Sequence, residues 1–113
     1  MASYYNNNTV VFADGHLKKA SEVHLSAYSQ TLHYGYGVFE GIRSYKDEEG
    51  NAAIFKAEAH YERLLASAEA LRIPLGYSVN ELTEATYAVL HANQMKDAYI
   101  RPLVYLPENM SFN

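Results

Sequence analysis

The sequence contains no cysteine and no tryptophan in 113 residues. Without thiols, disulfide scaffolds, thiolate zinc sites and cysteine nucleophiles are all excluded, and an oxidising compartment gains no support. Basic residues are also scarce: nine Lys and Arg stand against thirteen Asp and Glu, a formal net charge of −4 at pH 7. That balance repels a phosphate backbone, which argues against a nucleic-acid partner. No apolar run approaches the roughly 18 residues that a membrane-spanning helix needs. The start of the chain, Met1 to Asn8, has neither the basic opening nor the apolar centre of a secretory leader. The expectation is a cytoplasmic protein with no membrane partner. Three prolines and six glycines form no linker, so the chain reads as one domain, long enough to bury about two-thirds of its unfolded surface. Tyrosine, by contrast, is abundant at eleven residues. Each carries a hydroxyl that needs a partner when buried, so some are expected to face a polar cavity.

The apolar pattern orders the elements. Val10–Ala13 runs through Asp14–Gly15 into His16–Leu17, the signature of a hairpin. Val38 to Tyr45 and Ala52 to Phe55 read as two paired strands around the polar run Lys46–Asn51. From Ala57 the spacing becomes helical, with Tyr61, Leu64, Leu65, Ala68 and Leu71 on one stripe that Pro74 ends. Ser78–Val79–Asn80–Glu81 predicts a capping box opening a second helix, whose stripe is Leu82, Ala85, Thr86, Val89 and Leu90. Asn93 is the expected left-handed residue after it, and Ala98 to Tyr105 reads as a last strand. The fold class predicted is α+β, a small mixed or antiparallel sheet with two helices packed on one side.

Polar groups that break these patterns are the candidates for chemistry. Strand alternation puts Tyr99 and Arg101 on one face about 7 Å apart, with Ile100 and Val104 on the other. A planar guanidinium beside a phenol suits a carboxylate, although an Arg at a sheet rim can equally pair with a nearby Glu. Pro102 cannot donate to a ladder, so this strand is expected to be an edge or locally distorted. Gly35, Gly37 and Gly41 sit within seven residues. Their spacing is not the dinucleotide fingerprint, which leaves a tight turn leading to a core Phe39 or a binding loop. Arg63 lies about 200° around its helix from Tyr61, which places it on the outer face with Glu58, Glu62 and Glu69. A solvated Arg is the plain expectation there, and a phosphate role would require something to cover that face. The five histidines show no ligand spacing, so no metal site is expected. Lys18, Lys19, Lys46, Lys56 and Lys96 stand in polar surroundings unsuited to a Schiff-base lysine.

The run Leu32–His33–Tyr34–Gly35, then Val38–Phe39–Glu40–Gly41–Ile42–Arg43, resembles the N-terminal signature of branched-chain amino-acid aminotransferases of the fold-type IV pyridoxal-phosphate class. His60–Tyr61–Glu62–Arg63–Leu64 and Ala98–Tyr99–Ile100–Arg101–Pro102–Leu103 match further motifs in the same order. The resemblance implies that residues 1–113 form the small N-terminal domain, the larger domain with the cofactor lysine being absent from the chain. It implies pyridoxal 5'-phosphate as cofactor of the complete enzyme, with Arg63 on its phosphate. It further implies a substrate pocket in which Phe39 and Gly41 meet an aliphatic side chain, Tyr99 the α-carboxylate and Arg101 the distal carboxylate of glutamate. Tyr34 approaches a neighbouring subunit's site in such enzymes, which implies a homodimer or higher homo-oligomer. The activity implied is exchange of an amino group between leucine, isoleucine or valine and 2-oxoglutarate. No catalytic residue is expected in these 113 residues, and the chain alone is expected to be inactive. Two alternatives remain: D-amino-acid aminotransferase or aminodeoxychorismate lyase chemistry on the same fold, and a non-catalytic interaction module.

Overall fold

A computed structural model describes residues 6–106, so Pro107 to Asn113 and the first five residues lie outside the described residues. Strands β1 (Val10–Ala13) and β2 (His16–Lys19) form the expected hairpin through left-handed Asp14 and Gly15. A short helix α1 (Gln30–Tyr34) follows, then β3 (Gly37–Phe39), β4 (Ile42–Lys46) and β5 (Ala52–Ile54). Helices α2 (Ala57–Ala70) and α3 (Val79–Ala92) precede β6 (Ala98–Ile100) and β7 (Leu103–Tyr105). The α+β class predicted from the sequence is the one observed. Helix α1 is absent from the sequence reading, because five residues carry too little periodicity to show.

The single sheet expected is instead three small ones: β1–β2, β3–β7 and β5–β4–β6. Two of these belong to one long antiparallel ribbon. Phe39 faces Leu103 and Ile42 faces Ile100, so the register runs unbroken and Glu40–Gly41 lies opposite Arg101–Pro102. Pro102 has no N–H, and the ladder lapses there, keeping one bond from the Glu40 N–H to the Pro102 carbonyl at 3.2 Å. The helices pack on each other, with α2 also against β3 and α3 against β1. Ile42, Tyr61, Leu64, Ala68, Ile73 and Val104 form the core where ribbon and helices meet.

The helix ends follow local hydrogen bonding. Ser78 Oγ accepts from the Glu81 N–H at 3.1 Å while Glu81 Oε1 accepts from the Ser78 N–H at 3.0 Å, the predicted capping box. Helix α2 stops at Ala70, before Pro74 can act. Left-handed Arg72 closes it, with Ile73 N–H donating to the Ala68 carbonyl at 2.8 Å and Arg72 N–H to the Glu69 carbonyl at 2.9 Å. Helix α3 closes in the same way, but the left-handed residue is Gln94 (φ 56°), and Asn93 (φ −94°) is not. The Asn93 amide instead clamps β1, accepting from the Val10 N–H at 2.8 Å and donating to the Val10 carbonyl at 2.7 Å. That pair of hydrogen bonds between helix end and edge strand outweighs any local preference of Asn for a left-handed turn.

Candidate functional site

The ribbon has two unlike faces. Val38, Ile42, Ser44, Ala98, Ile100 and Val104 turn toward the helices and are buried or half-buried. The opposite face carries Phe39, Gly41, Arg43, Tyr99, Arg101 and Leu103, all exposed. Four of the residues singled out from the sequence, Phe39, Gly41, Tyr99 and Arg101, therefore stand together on that outer face. Phe39 is 56 % exposed, so it is not the core residue that a plain turn would have required. The Arg101 guanidinium lies 4.7 Å from the Phe39 ring centroid and donates to the Tyr99 hydroxyl at 3.1 Å. Arg43, opposite Tyr99 across the β4–β6 pair, places its guanidinium 5.8 Å from the Tyr99 ring.

Gly41 makes this cluster possible. A Cβ there would lie 2.7 Å from the Tyr99 hydroxyl, closer than any side chain tolerates, so the phenol occupies the space a larger residue would need. Gly37 has a related role at the start of β3, where a Cβ would come within 3.0 Å of the Val104 carbonyl. The segment before it is tied down by hydroxyls: buried Ser29 donates to the Leu106 carbonyl at 2.6 Å and Thr31 donates to the Tyr36 carbonyl at 2.7 Å. Tyr34 sits at the end of α1, 60 % exposed, its ring 6.3 Å from that of His33.

Arg63 does not join the outer cluster; it reaches the ribbon from α2 on the other side. Glu40 is the one acidic side chain on the ribbon's inner face, 8 % exposed beside Ile42. Arg63 grips it through Nε, 3.1 Å and 3.0 Å from the two carboxylate oxygens, and through Nη2 at 2.7 Å. His60 Nδ1 lies 2.9 Å from the same Oε1. The Arg63 hydrogen bonds hold the Glu40 carboxyl below the ordinary carboxylate range, against the opposite pull of burial and with His60 assisting. Arg63 itself is 65 % exposed, so the pair joins a buried carboxylate to a guanidinium at the surface. Glu40, His60 and Arg43 stand within the motifs quoted above but carry no role in the sequence reading. Alternation alone could have flagged Glu40, a carboxylate between Val38 and Ile42 on the apolar face, and Arg43 follows once its strand is paired with Tyr99.

A cleft of about 690 Å³ lies between the hairpin, the helices and β6–β7. Tyr99 and Arg101 border it, whereas Phe39, Gly41 and Arg63 do not. The outer face thus offers an apolar wall and two cations flanking a phenol, which is an arrangement for a small carboxylate bearing an apolar group.

Residues 37–110 match the family model for amino-transferase class IV. The chain belongs to that family. It is 40 % identical over 103 residues to the branched-chain-amino-acid aminotransferase of Pseudomonas aeruginosa, covering 91 % of this chain and 33 % of that protein. Its structure resembles the crystal structure of the Escherichia coli branched-chain amino acid aminotransferase, with TM-score 0.87 and 33 % identity over 96 % of this chain and 35 % of that one. Another solved branched-chain amino acid aminotransferase, complexed with N-(5'-phosphopyridoxyl)-L-glutamate, gives TM-score 0.85 at 34 % identity, over 90 % of this chain and 34 % of that one. The fold is that of the fold-type IV aminotransferases. The chain spans about a third of the length of these relatives. Among the described residues no helix is long and apolar enough to cross a membrane.

Proposed function

We propose that this chain is the small substrate-side domain of a pyridoxal 5'-phosphate-dependent transaminase that moves an amino group between branched-chain L-amino acids and 2-oxoglutarate. The observation that carries this is the Arg101 guanidinium lying on Phe39 while donating to Tyr99. A site that takes leucine and glutamate in turn needs an apolar wall and a cation that does not stay buried unpaired. Arg101 meets that need. Resting on the Phe39 ring at the rim, it leaves room for an aliphatic chain, and it can turn to a distal carboxylate when glutamate enters. Tyr99, its hydroxyl held by Arg101 and its ring flanked by Arg43, donates to the α-carboxylate and fixes the substrate's orientation. Burying a leucine-sized group against Phe39 and across Gly41 is worth roughly 1.5–3 kcal/mol.

The donor set also fits the cofactor that membership of the class implies. Arg63 presents an exposed guanidinium already oriented by a carboxylate, which suits a phosphate group. The cofactor, when bound, supplies the electron sink for the substrate's α-carbon. In this reading the lysine that bonds it belongs to a further domain, so the 113-residue chain supplies binding and orientation and no turnover of its own. Tyr34, exposed at the end of α1, reaches a second subunit of a homodimer or larger homo-oligomer.

Assaying the complete enzyme with L-leucine, D-alanine and aminodeoxychorismate tests the proposal. Turnover of L-leucine with 2-oxoglutarate is expected, and turnover of only the other two removes it. Arg101→Ala should raise KM for glutamate by about tenfold or more, the loss of one charged contact, with a smaller effect on leucine. Equal losses for both would remove the dual-substrate role.

A further inference from the structure

We infer that Glu40 is a positioning residue for the cofactor phosphate: it fixes the Arg63 guanidinium so that Nη1 faces the anion. This rests on the reading of Arg63 as the phosphate contact. An exposed Arg has several free torsions and would otherwise lose that freedom on binding. Here the loss has already occurred, because Nε and Nη2 are both bonded to Glu40 at 2.7–3.1 Å. Among the described residues no partner is seen at Nη1.

Glu40 cannot readily turn away. Its N–H is bonded to the Pro102 carbonyl, and ribbon alternation aims its side chain inward beside fully buried Ile42. His60, one helical turn before Arg63, has its Nδ1 2.9 Å from the same oxygen and 3.3 Å from Arg63 Nη2, so Nη2 is engaged on both and Nη1 is the nitrogen left for an anion. The carboxylate also offsets Arg63's charge, so the pair offers aligned donors more than net attraction. Glu40 lies between Phe39 and Gly41 in the chain. One short segment thereby sets both the substrate wall on its outer face and the phosphate contact on its inner face.

The test uses the complete enzyme stripped of cofactor and compares its affinity for pyridoxal 5'-phosphate with that for pyridoxal, which lacks the phosphate. Arg63→Ala should shrink the preference for the phosphorylated form by about 10- to 100-fold. Glu40→Gln should shrink it by about tenfold, and should add nothing further in the Arg63→Ala background. Should Glu40→Gln fail to fold, Glu40→Asp keeps the charge, withdraws the carboxylate by one methylene and is expected to give the same direction. If Arg63→Ala lowers the preference while both Glu40 variants leave it unchanged, the positioning role is overturned and the phosphate contact stands. A Glu40→Gln effect of equal size with and without Arg63 also overturns it, because the effect would then come through the fold. An unchanged preference in Arg63→Ala removes the phosphate contact and this inference with it.

Discussion

Gly41→Ala separates the needs of the fold from those of the site. The added Cβ would stand 2.7 Å from the Tyr99 hydroxyl and 3.4 Å from Cε2 and Cζ of its ring. Ordinary contact begins near 3.4 Å, so the hydroxyl must withdraw by roughly 0.5–1 Å. It is the free end of a side chain that is 53 % exposed, so it can swing outward without disturbing the core. Gly41 is not among the positive-φ residues, and alanine there should recover about 0.4–1 kcal/mol from the reduced freedom of the unfolded chain. The two effects nearly cancel, and the melting temperature of the complete enzyme should move by no more than about 4 °C. Function should not escape. The Tyr99 bond to Arg101 is already 3.1 Å, and a shifted phenol loses both that bond and its aim at the substrate α-carboxylate. A hydrogen bond to a charged group contributes about 1.5–3 kcal/mol, so KM for leucine should rise about 10- to 100-fold. Melting by differential scanning fluorimetry and initial-rate kinetics on the same preparation decide the matter. A drop of about 10 °C or more with KM unchanged would show that Gly41 serves packing alone, against the reasoning that places Tyr99 over it.

Ser78→Ala should lower stability by about 0.5–2 kcal/mol, since it removes the hydroxyl half of the capping box on α3; urea denaturation measures the change. Tyr61→Phe should be milder than Leu64→Ala, although both residues are at most 2 % exposed. The Tyr61 hydroxyl bonds only to Thr86 among the described residues, and Thr86 keeps its 2.7 Å bond to the Leu82 carbonyl, so the loss is about 1 kcal/mol. Leu64→Ala opens a cavity and should cost about 2–5 kcal/mol; equal losses in urea would count against this core. The Glu40 carboxyl is lowered in the folded state, chiefly by the Arg63 hydrogen bonds. Its contribution is therefore complete above the unfolded carboxyl pKa, near about 4.3, and is lost as the pH falls through the lowered folded value. The stability difference between the native protein and Glu40→Gln, from urea titrations between about pH 2 and 6, should be constant at the upper end and shrink toward the lower. A difference independent of pH would mean that the ion pair contributes nothing.

The parts legible in the sequence were those set by short-range chemistry. Alternation and helical spacing follow from where side chains point, and the capping box is two side chains bonding two backbone groups three residues apart, so all were readable without the fold. The helix ends were not. Arg72 and Gln94 take the left-handed position usually given to Gly, because the paired bonds of each closing turn impose it, and Asn93 is claimed by an edge strand 83 residues away in sequence. The ribbon was half legible: Pro102 announced a distortion, but its partner Glu40–Gly41 emerges only from the register. The same division runs through the site. Tyr99 and Arg101 share a face by local alternation, whereas Phe39 and Gly41 reach them only through strand pairing.

Arg63 shows what helical spacing alone leaves out. Its outward direction was right, and it is exposed, yet it is not a freely solvated charge, because the opposing ribbon delivers a carboxylate to it. A charged residue on an apolar strand face is costly to bury unless another element brings the opposite charge. Glu40 among Val38, Ile42 and Ser44 was thus a demand, written in the sequence, for a cation from elsewhere in the fold. Arg63 answers it from α2, and in doing so the exposed end of its guanidinium is left with a fixed direction instead of a cloud of rotamers.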